Sequence, residues 1–92
     1  MARQRLHVIV EGRVQGVFFR ASTEEQARKL GLGGWVCNRP DGSVEAVLEG
    51  EPAVVQQMIK WLRQGPRLAT VTRLQIQEEE PLGVNLDFVI RY

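Results

Sequence analysis

Residues 12 to 20, Gly12-Arg13-Val14-Gln15-Gly16-Val17-Phe18-Phe19-Arg20, combine two glycines, no acidic side chain and a closing arginine just ahead of a helix-forming stretch. Glycine lets the backbone turn with its N–H groups converging, and the partial positive charge at a helix start adds to them, so such a loop suits a phosphate. Arg20 would add a full charge and a two-pronged donor fork. Asn38 is the second candidate. Its amide can accept from a water and donate to a phosphoryl oxygen at once, as holding a hydrolytic water requires. Each feature taken alone has an ordinary reading as well. Two glycines and an arginine before a helix can be a plain turn with a surface charge, and an asparagine at a strand end can bond its own turn.

Other chemistries are poorly served. A cysteine phosphatase loop built on Cys37 needs an arginine six residues on, where the chain has Ser43; Cys37 reads as a buried or half-exposed structural thiol. His7 has no second histidine to share a metal with and reads as a solvent-facing strand residue. Gly16 is followed by Val17 and not by Lys-Ser/Thr, so no nucleotide-binding loop of that type is present. With no carboxylate cluster near residues 12 to 20, no metal and no cofactor are expected.

The elements that must position these groups follow from periodicity. Arg5 to Arg13 alternates, with Leu6, Val8 and Val10 facing one way and His7, Ile9 and Glu11 the other, which is a half-buried strand. Ser22 to Leu30 is helical, with Thr23, Ala27 and Leu30 on one face and Gly31 as its stop; Ser22 and Glu25 could form a capping box, or the helix could begin a turn earlier. Gly34 to Arg39 and Ser43 to Glu49 flank the turn Pro40-Asp41-Gly42 as a hairpin whose buried side carries Val44, Ala46 and Leu48. From Pro52, the spacing of Val55, Met58, Ile59 and Leu62 predicts a second helix ending at Gly65-Pro66. Thr70 to Gln77 alternates around Thr72, Leu74 and Ile76, and a short last strand, Leu86 to Arg91, carries Leu86, Phe88 and Ile90. Glu78-Glu79-Glu80 reads as a solvated strand end.

This order predicts an α+β, ferredoxin-like α/β sandwich: βαββαβ plus a short extra C-terminal strand, with two helices covering one face of an antiparallel sheet. Strands one and two then run parallel with strand three between them, joined by a right-handed crossover through the first helix. The loop after strand one, the start of the first helix and the far end of strand two fall on one edge. Two strand spacings of about 4.8 Å separate strands one and two by about 10 Å, room for a phosphate and a water between Arg20 and Asn38.

Composition bounds the rest. A chain of 92 residues, 43% apolar and 25% charged, is expected to be one domain, residues 1–92, held by core packing. Twelve basic against eleven acidic residues give a net charge of +1, no footprint for nucleic acid or an anionic membrane. The single cysteine and the short apolar run ending at Glu11 suggest a cytoplasmic location. A monomer acting on a small molecule is the expectation.

The segments G-x-V-Q-G-V-x-F-R, from Gly12 to Arg20, and G-W-V-x-N-x-x-x-G-x-V-x-x-x-x-x-G, from Gly34 to Gly50, resemble the two signature motifs of the acylphosphatases. The resemblance continues through Gly65-Pro66 with Ala69 and Val71 to the Phe-x-Ile-Arg-Tyr ending at Tyr92, nearly the whole chain. It implies a metal-free hydrolase that splits acyl phosphates into a carboxylate and inorganic phosphate. It further implies that Arg20 binds the phosphoryl group, that Asn38 orients the attacking water, and that the backbone of Gln15, Gly16, Val17, Phe18 and Phe19 forms the phosphate cradle. Cys37 departs from the basic or long polar residue that relatives often carry before the asparagine. No segment reads as a dedicated acyl pocket, so broad tolerance of the acyl group is expected. The rivals are an RNA-recognition domain, for which strand three lacks stacking aromatics, and a non-catalytic anion-binding or carbamoyl-phosphate-handling domain of a larger protein, against which the free-standing length is taken to argue.

Overall fold

Three apolar side chains, Leu6, Val8 and Val10, fall on one face of strand β1 (Gln4–Arg13), opposite Leu48, Ala46 and Val44 of the antiparallel strand β3 (Val44–Gly50). All six are buried, and with Val36 of strand β2 (Gly33–Asn38) they floor the core. Helix α1 (Phe19–Lys29) and helix α2 (Pro52–Gln64) cover that floor; Val55, Met58, Ile59 and Leu62 form the buried stripe of α2. Strand β4 (Thr70–Glu79) and the short strand β5 (Phe88–Ile90) complete the sheet. This computed structural model describes residues 3–83 and 87–92, so Leu86 of the expected last strand lies outside the described residues.

The strand order is β4-β1-β3-β2-β5. As the sequence predicts, β3 lies antiparallel between β1 and β2, which therefore run parallel to each other. One refinement concerns the tail. β5 joins β2 in parallel, so the sheet is mixed and not wholly antiparallel. The physical reason is the route of the chain: β4 ends on one edge of the sheet and β5 lies on the other.

That crossing is fastened by Glu49. Alternation points its side chain away from the helices, yet it is 0% exposed. Its carboxylate accepts from the backbone N–H of Leu82 and of Gly83, each at 3.0 Å, from Arg3 Nε at 3.0 Å and from Arg5 at 3.2 Å. A buried carboxylate is tolerated only with such partners. Arg5 also pairs with Glu79 at 3.1 Å, so the acidic end of β4 is exposed but not merely solvated. The ends of α1 show a second local rule. Gly31 N–H donates to Arg28 C=O and Leu32 N–H to Ala27 C=O, the double bond of a Schellman stop, made possible by φ +73° at Gly31. Of the two readings left open for the start of α1, the earlier one holds: the helix begins at Phe19, a turn before Ser22, whose N–H donates to Phe18 C=O, and no capping box forms.

Burial pushes the Glu49 carboxyl up, but the N–H groups of Leu82 and Gly83 and the two guanidiniums outweigh it and hold the group at about 2 against an ordinary 4.5. A depressed carboxyl stabilises the fold above its unfolded value and loses that contribution as pH falls through the folded one. Glu49→Gln is therefore expected to destabilise the protein at pH 7 by about 2 kcal/mol. In urea titrations across pH, the gap between the variant and the unsubstituted protein should narrow from about pH 4.5 down to about 2; a gap independent of pH would exclude the ionised carboxylate as its source.

Candidate active site

Three parallel strands, β1, β2 and β5, end on the same edge of the sheet, and their C-terminal continuations meet there. After β1 comes the loop 14–18, β2 closes on Asn38, and β5 runs out into Arg91 and Tyr92. A cavity of about 290 Å³ opens at that edge, lined by Val14, Gly16, Phe18, Phe19, Arg20, Ala21, Asn38, Ile90 and Tyr92. The two predicted side chains, Arg20 and Asn38, are thus brought into one site. Asn38 is exposed, and among the described residues its amide bonds nothing, which disposes of the reading that it serves its own turn. The turn is closed by other groups: Arg39 N–H donates to Ser43 C=O, Gly42 N–H to Arg39 C=O, and Asp41 accepts from Ser43 N–H at 2.9 Å. The Ser43 hydroxyl and N–H hold the Asp41 carboxyl below its usual range.

The loop behaves as its glycines suggest. Gly16 has φ +72°, and Phe18, a non-glycine, sits at φ 61°, ψ 26°, in the left-handed region, as the residue that caps α1. No side chain caps this helix and no acidic residue lies in its first turn. Among the described residues, the N–H groups of Gln15, Gly16, Val17, Phe18 and Phe19 donate to no carbonyl or side chain. Helix starts leave such donors open, and a ligand anion is one way to satisfy them. Phe18 projects into solvent while Phe19 turns into the core, where its ring meets Trp61 at 6.1 Å. Gly65 makes room for it: a Cβ there would lie 2.7 Å from the Phe19 ring.

Of the predicted cradle residues, Gly16, Phe18 and Phe19 line the cavity, Val17 is buried in the core, and Gln15 has a further part. Its side-chain amide donates to Arg39 C=O at 2.7 Å and to Ser43 C=O at 2.9 Å. The first motif is thereby tied to the turn that begins at the second. Four lining residues escaped the sequence reading: Val14, Ala21, Ile90 and Tyr92. A signal for the last two existed, because Phe88, Ile90 and Tyr92 continue one alternation along the tail. The Arg20 guanidinium lies 4.8 Å over the Tyr92 ring, a cation–π contact.

Cys37 is half-buried beside this edge, with its thiol 3.7 Å from Glu45; burial first, and then the Glu45 charge, push the thiol up and keep it protonated and inert. His7 is on the face away from the helices, as expected, but half-buried, its Nε2 lying 2.6 Å from Glu45 Oε2. Among the described residues no group of three or more His, Cys, Asp or Glu side chains is placed to hold a metal ion.

The acylphosphatase family model matches residues 6–90. An acylphosphatase of Thermococcus kodakarensis is 56% identical over 84 residues, 91% of this chain and 92% of the relative. One of Gloeobacter violaceus is 54% identical over 87 residues, covering 95% and 94% of the two chains. Among solved structures, the crystal structure of acylphosphatase from Bacillus subtilis superposes with a TM-score of 0.92 at 37% identity, covering 97% of this chain and 99% of that one.

The Gln15 clamp can be tested by stability. Gln15→Leu loses two hydrogen bonds and is expected to cost about 2 kcal/mol in urea unfolding, at about 1 kcal/mol per bond. Gln15→Glu should be worse at pH 7, since it turns an oxygen toward two carbonyls; a Glu variant as stable as the native protein would show that the amide does not hold the turn.

Proposed function

The chain belongs to the acylphosphatase family, an acid-anhydride hydrolase family, and from that premise we propose how it hydrolyses the carboxyl–phosphate bond of small acyl phosphates. Arg20 holds the phosphoryl group, the backbone of residues 15 to 19 cradles it, and Asn38 orients the attacking water. One observation carries this reading. Arg20 and an amide with no other partner line the same cavity as a loop whose N–H groups are open.

The chemistry is consistent with so few groups. The water oxygen attacks phosphorus, the bridging P–O bond breaks, and its electron pair leaves on the carboxylate. A carboxylate is a good leaving group, so no strong general acid is needed, and the work is positioning the water and stabilising charge on the phosphoryl oxygens. The water's proton passes to a phosphoryl oxygen of the substrate itself. In support of that route, no carboxylate or imidazole side chain is among the described residues lining the cavity.

The reading involves no metal, cofactor, nucleic acid or membrane; among the described residues no helix is long and apolar enough to cross one. We place the activity in the cytoplasm, in one monomeric domain that takes a small acyl phosphate and releases inorganic phosphate.

Phosphate release from benzoyl phosphate is the direct assay. Arg20→Gln should abolish measurable turnover and weaken competitive inhibition by inorganic phosphate. Asn38→Ala should lower kcat and kcat/KM together, by roughly 10²-fold or more, while phosphate still inhibits. If kcat survives in Asn38→Ala and the inhibition constant rises sharply, Asn38 is a phosphate ligand and not the water's holder. Chelation separates metal-dependent alternatives: EDTA should leave the rate unchanged and Mg²⁺ should not raise it, whereas loss on chelation restored by a divalent ion would refute the metal-free route.

A further inference from the structure

The net charge of +1 conceals where the charges sit. β3 and β4 run antiparallel to β1, so both begin at the edge where β1, β2 and β5 end, and α2, which leaves the far end of β3, comes to its close there as well. A Cβ at Gly65, just past that helix, would lie 2.7 Å from the Phe19 ring. These ends bring arginines together. Arg13 closes β1, Arg39 follows β2 and Arg91 follows β5, while Arg63 lies in the last turn of α2, Arg67 in the turn beyond it and Arg73 near the start of β4. With Arg20 they make seven, and only Glu11, Asp41 and Glu45 stand among them. At the far end the balance is reversed: Glu49, Glu51, Glu78, Glu79, Glu80 and Asp87 outnumber Arg3, Arg5, Arg28 and Lys29. Pairing sharpens the contrast. Arg5 lies 3.2 Å from Glu49 and 3.1 Å from Glu79, whereas the pairs at the site edge are long, Arg39 to Asp41 at 3.9 Å and Arg73 to Glu11 at 4.0 Å. Arg13, Arg63 and Arg67 are exposed, have no carboxylate partner among the described residues, and do not line the cavity.

We propose that Arg13, Arg63 and Arg67 are steering residues, whose field draws a doubly charged acyl phosphate to the opening before Arg20 holds it. The inference rests on the hydrolase reading above and extends it from holding the substrate to capturing it. A charge acts on an ion in water without touching it, and a patch of one sign raises the local concentration of the opposite ion. At about 12 Å, one unpaired charge changes the encounter with a dianion roughly twofold at about 0.01 M salt, where the screening length is about 30 Å, and hardly at all at about 0.5 M. Three such arginines amount to roughly tenfold at low salt. The far carboxylates do not undo this, because the rise of β1 from the Arg5–Glu79 pair to Arg13, at about 3.3 Å per residue, separates them by about 26 Å. Segregation is what counts: the same basic and acidic residues, interspersed, would leave no field at the opening.

The experiment measures kcat/KM for benzoyl phosphate between about 0.01 and about 0.5 M ionic strength. It compares the native protein with a triple variant, Arg13→Gln with Arg63→Gln and Arg67→Gln, and with a second triple in which the same arginines become lysines. All three side chains are exposed, so both variants should fold. At the low end of that range the glutamine variant is expected to lose roughly tenfold in kcat/KM with kcat unchanged, and at the high end to come within about twofold of the native protein. Lysine keeps the charge but not the guanidinium fork, and should restore the native value at every ionic strength. Salt anions that compete for Arg20 lower the rate equally in all three proteins, so the difference between their salt dependences isolates steering. Native and glutamine proteins with the same salt dependence overturn steering and leave the hydrolase intact. A loss that lysine does not restore means contact and not charge, and overturns it as well. No phosphate release by the native protein at any ionic strength removes the hydrolase reading and steering together.

Discussion

Strand β3 is the element on which the rest depends. It is buried along nearly its whole length and has a neighbour on each edge, so its N–H and C=O groups must be paired by β1 on one side and β2 on the other. An unpaired buried group costs about 1–3 kcal/mol, and a slip of one residue would turn Glu45, Val47 and Glu49 toward the helices in place of Val44, Ala46 and Leu48. Register is therefore strongly specified. Once β3 is antiparallel to both neighbours, β1 and β2 are parallel, and their C-terminal ends have to share an edge. The meeting of Arg20 with Asn38 is a consequence of that pairing.

Gly34 shows how tight the arrangement is. Its φ is +133°, and a Cβ there would lie 1.8 Å from the Val47 carbonyl oxygen. The glycine opening the second motif is thus a requirement of the β2·β3 approach, while the asparagine four residues later is free to serve a ligand.

The site edge is built at some cost to the fold. The start of α1 has neither a capping side chain nor an acid in its first turn, and a left-handed phenylalanine costs roughly 1–2 kcal/mol. The molecule offsets this away from the opening: Phe19 packs against Trp61 above Gly65, Gln15 ties the loop to the 39–43 turn, and Glu49 fastens the crossing chain at the opposite end of β3. Donors are left open where an anion can use them, and closed elsewhere.

Much was determined by the sequence alone. Period-two alternation in β1 and β3 and the i, i+3, i+4, i+7 stripe of α2 are local signals, because each reports which face of one element is apolar, and Pro40-Asp41-Gly42 is local too, because its residues set their own backbone turn. Arg20 and Asn38 stood out for the same reason: their chemistry belongs to their own side chains and to the turns beside them. The start of α1 stayed open between two readings because capping propensity at Ser22 competed with a backbone turn at Phe18 that propensity does not encode. The buried state of Glu49, the clamp made by Gln15 and the place of Tyr92 beside Arg20 were decided only by the tertiary structure. Glu49 alternates to what a single strand reads as the solvent face, and it becomes interior because the chain after β4 crosses over it. Tyr92 reaches the site because β5 adds to β2 in parallel, 54 positions after Asn38 in the chain. Such contacts depend on strand order and direction, which no window of neighbouring residues contains.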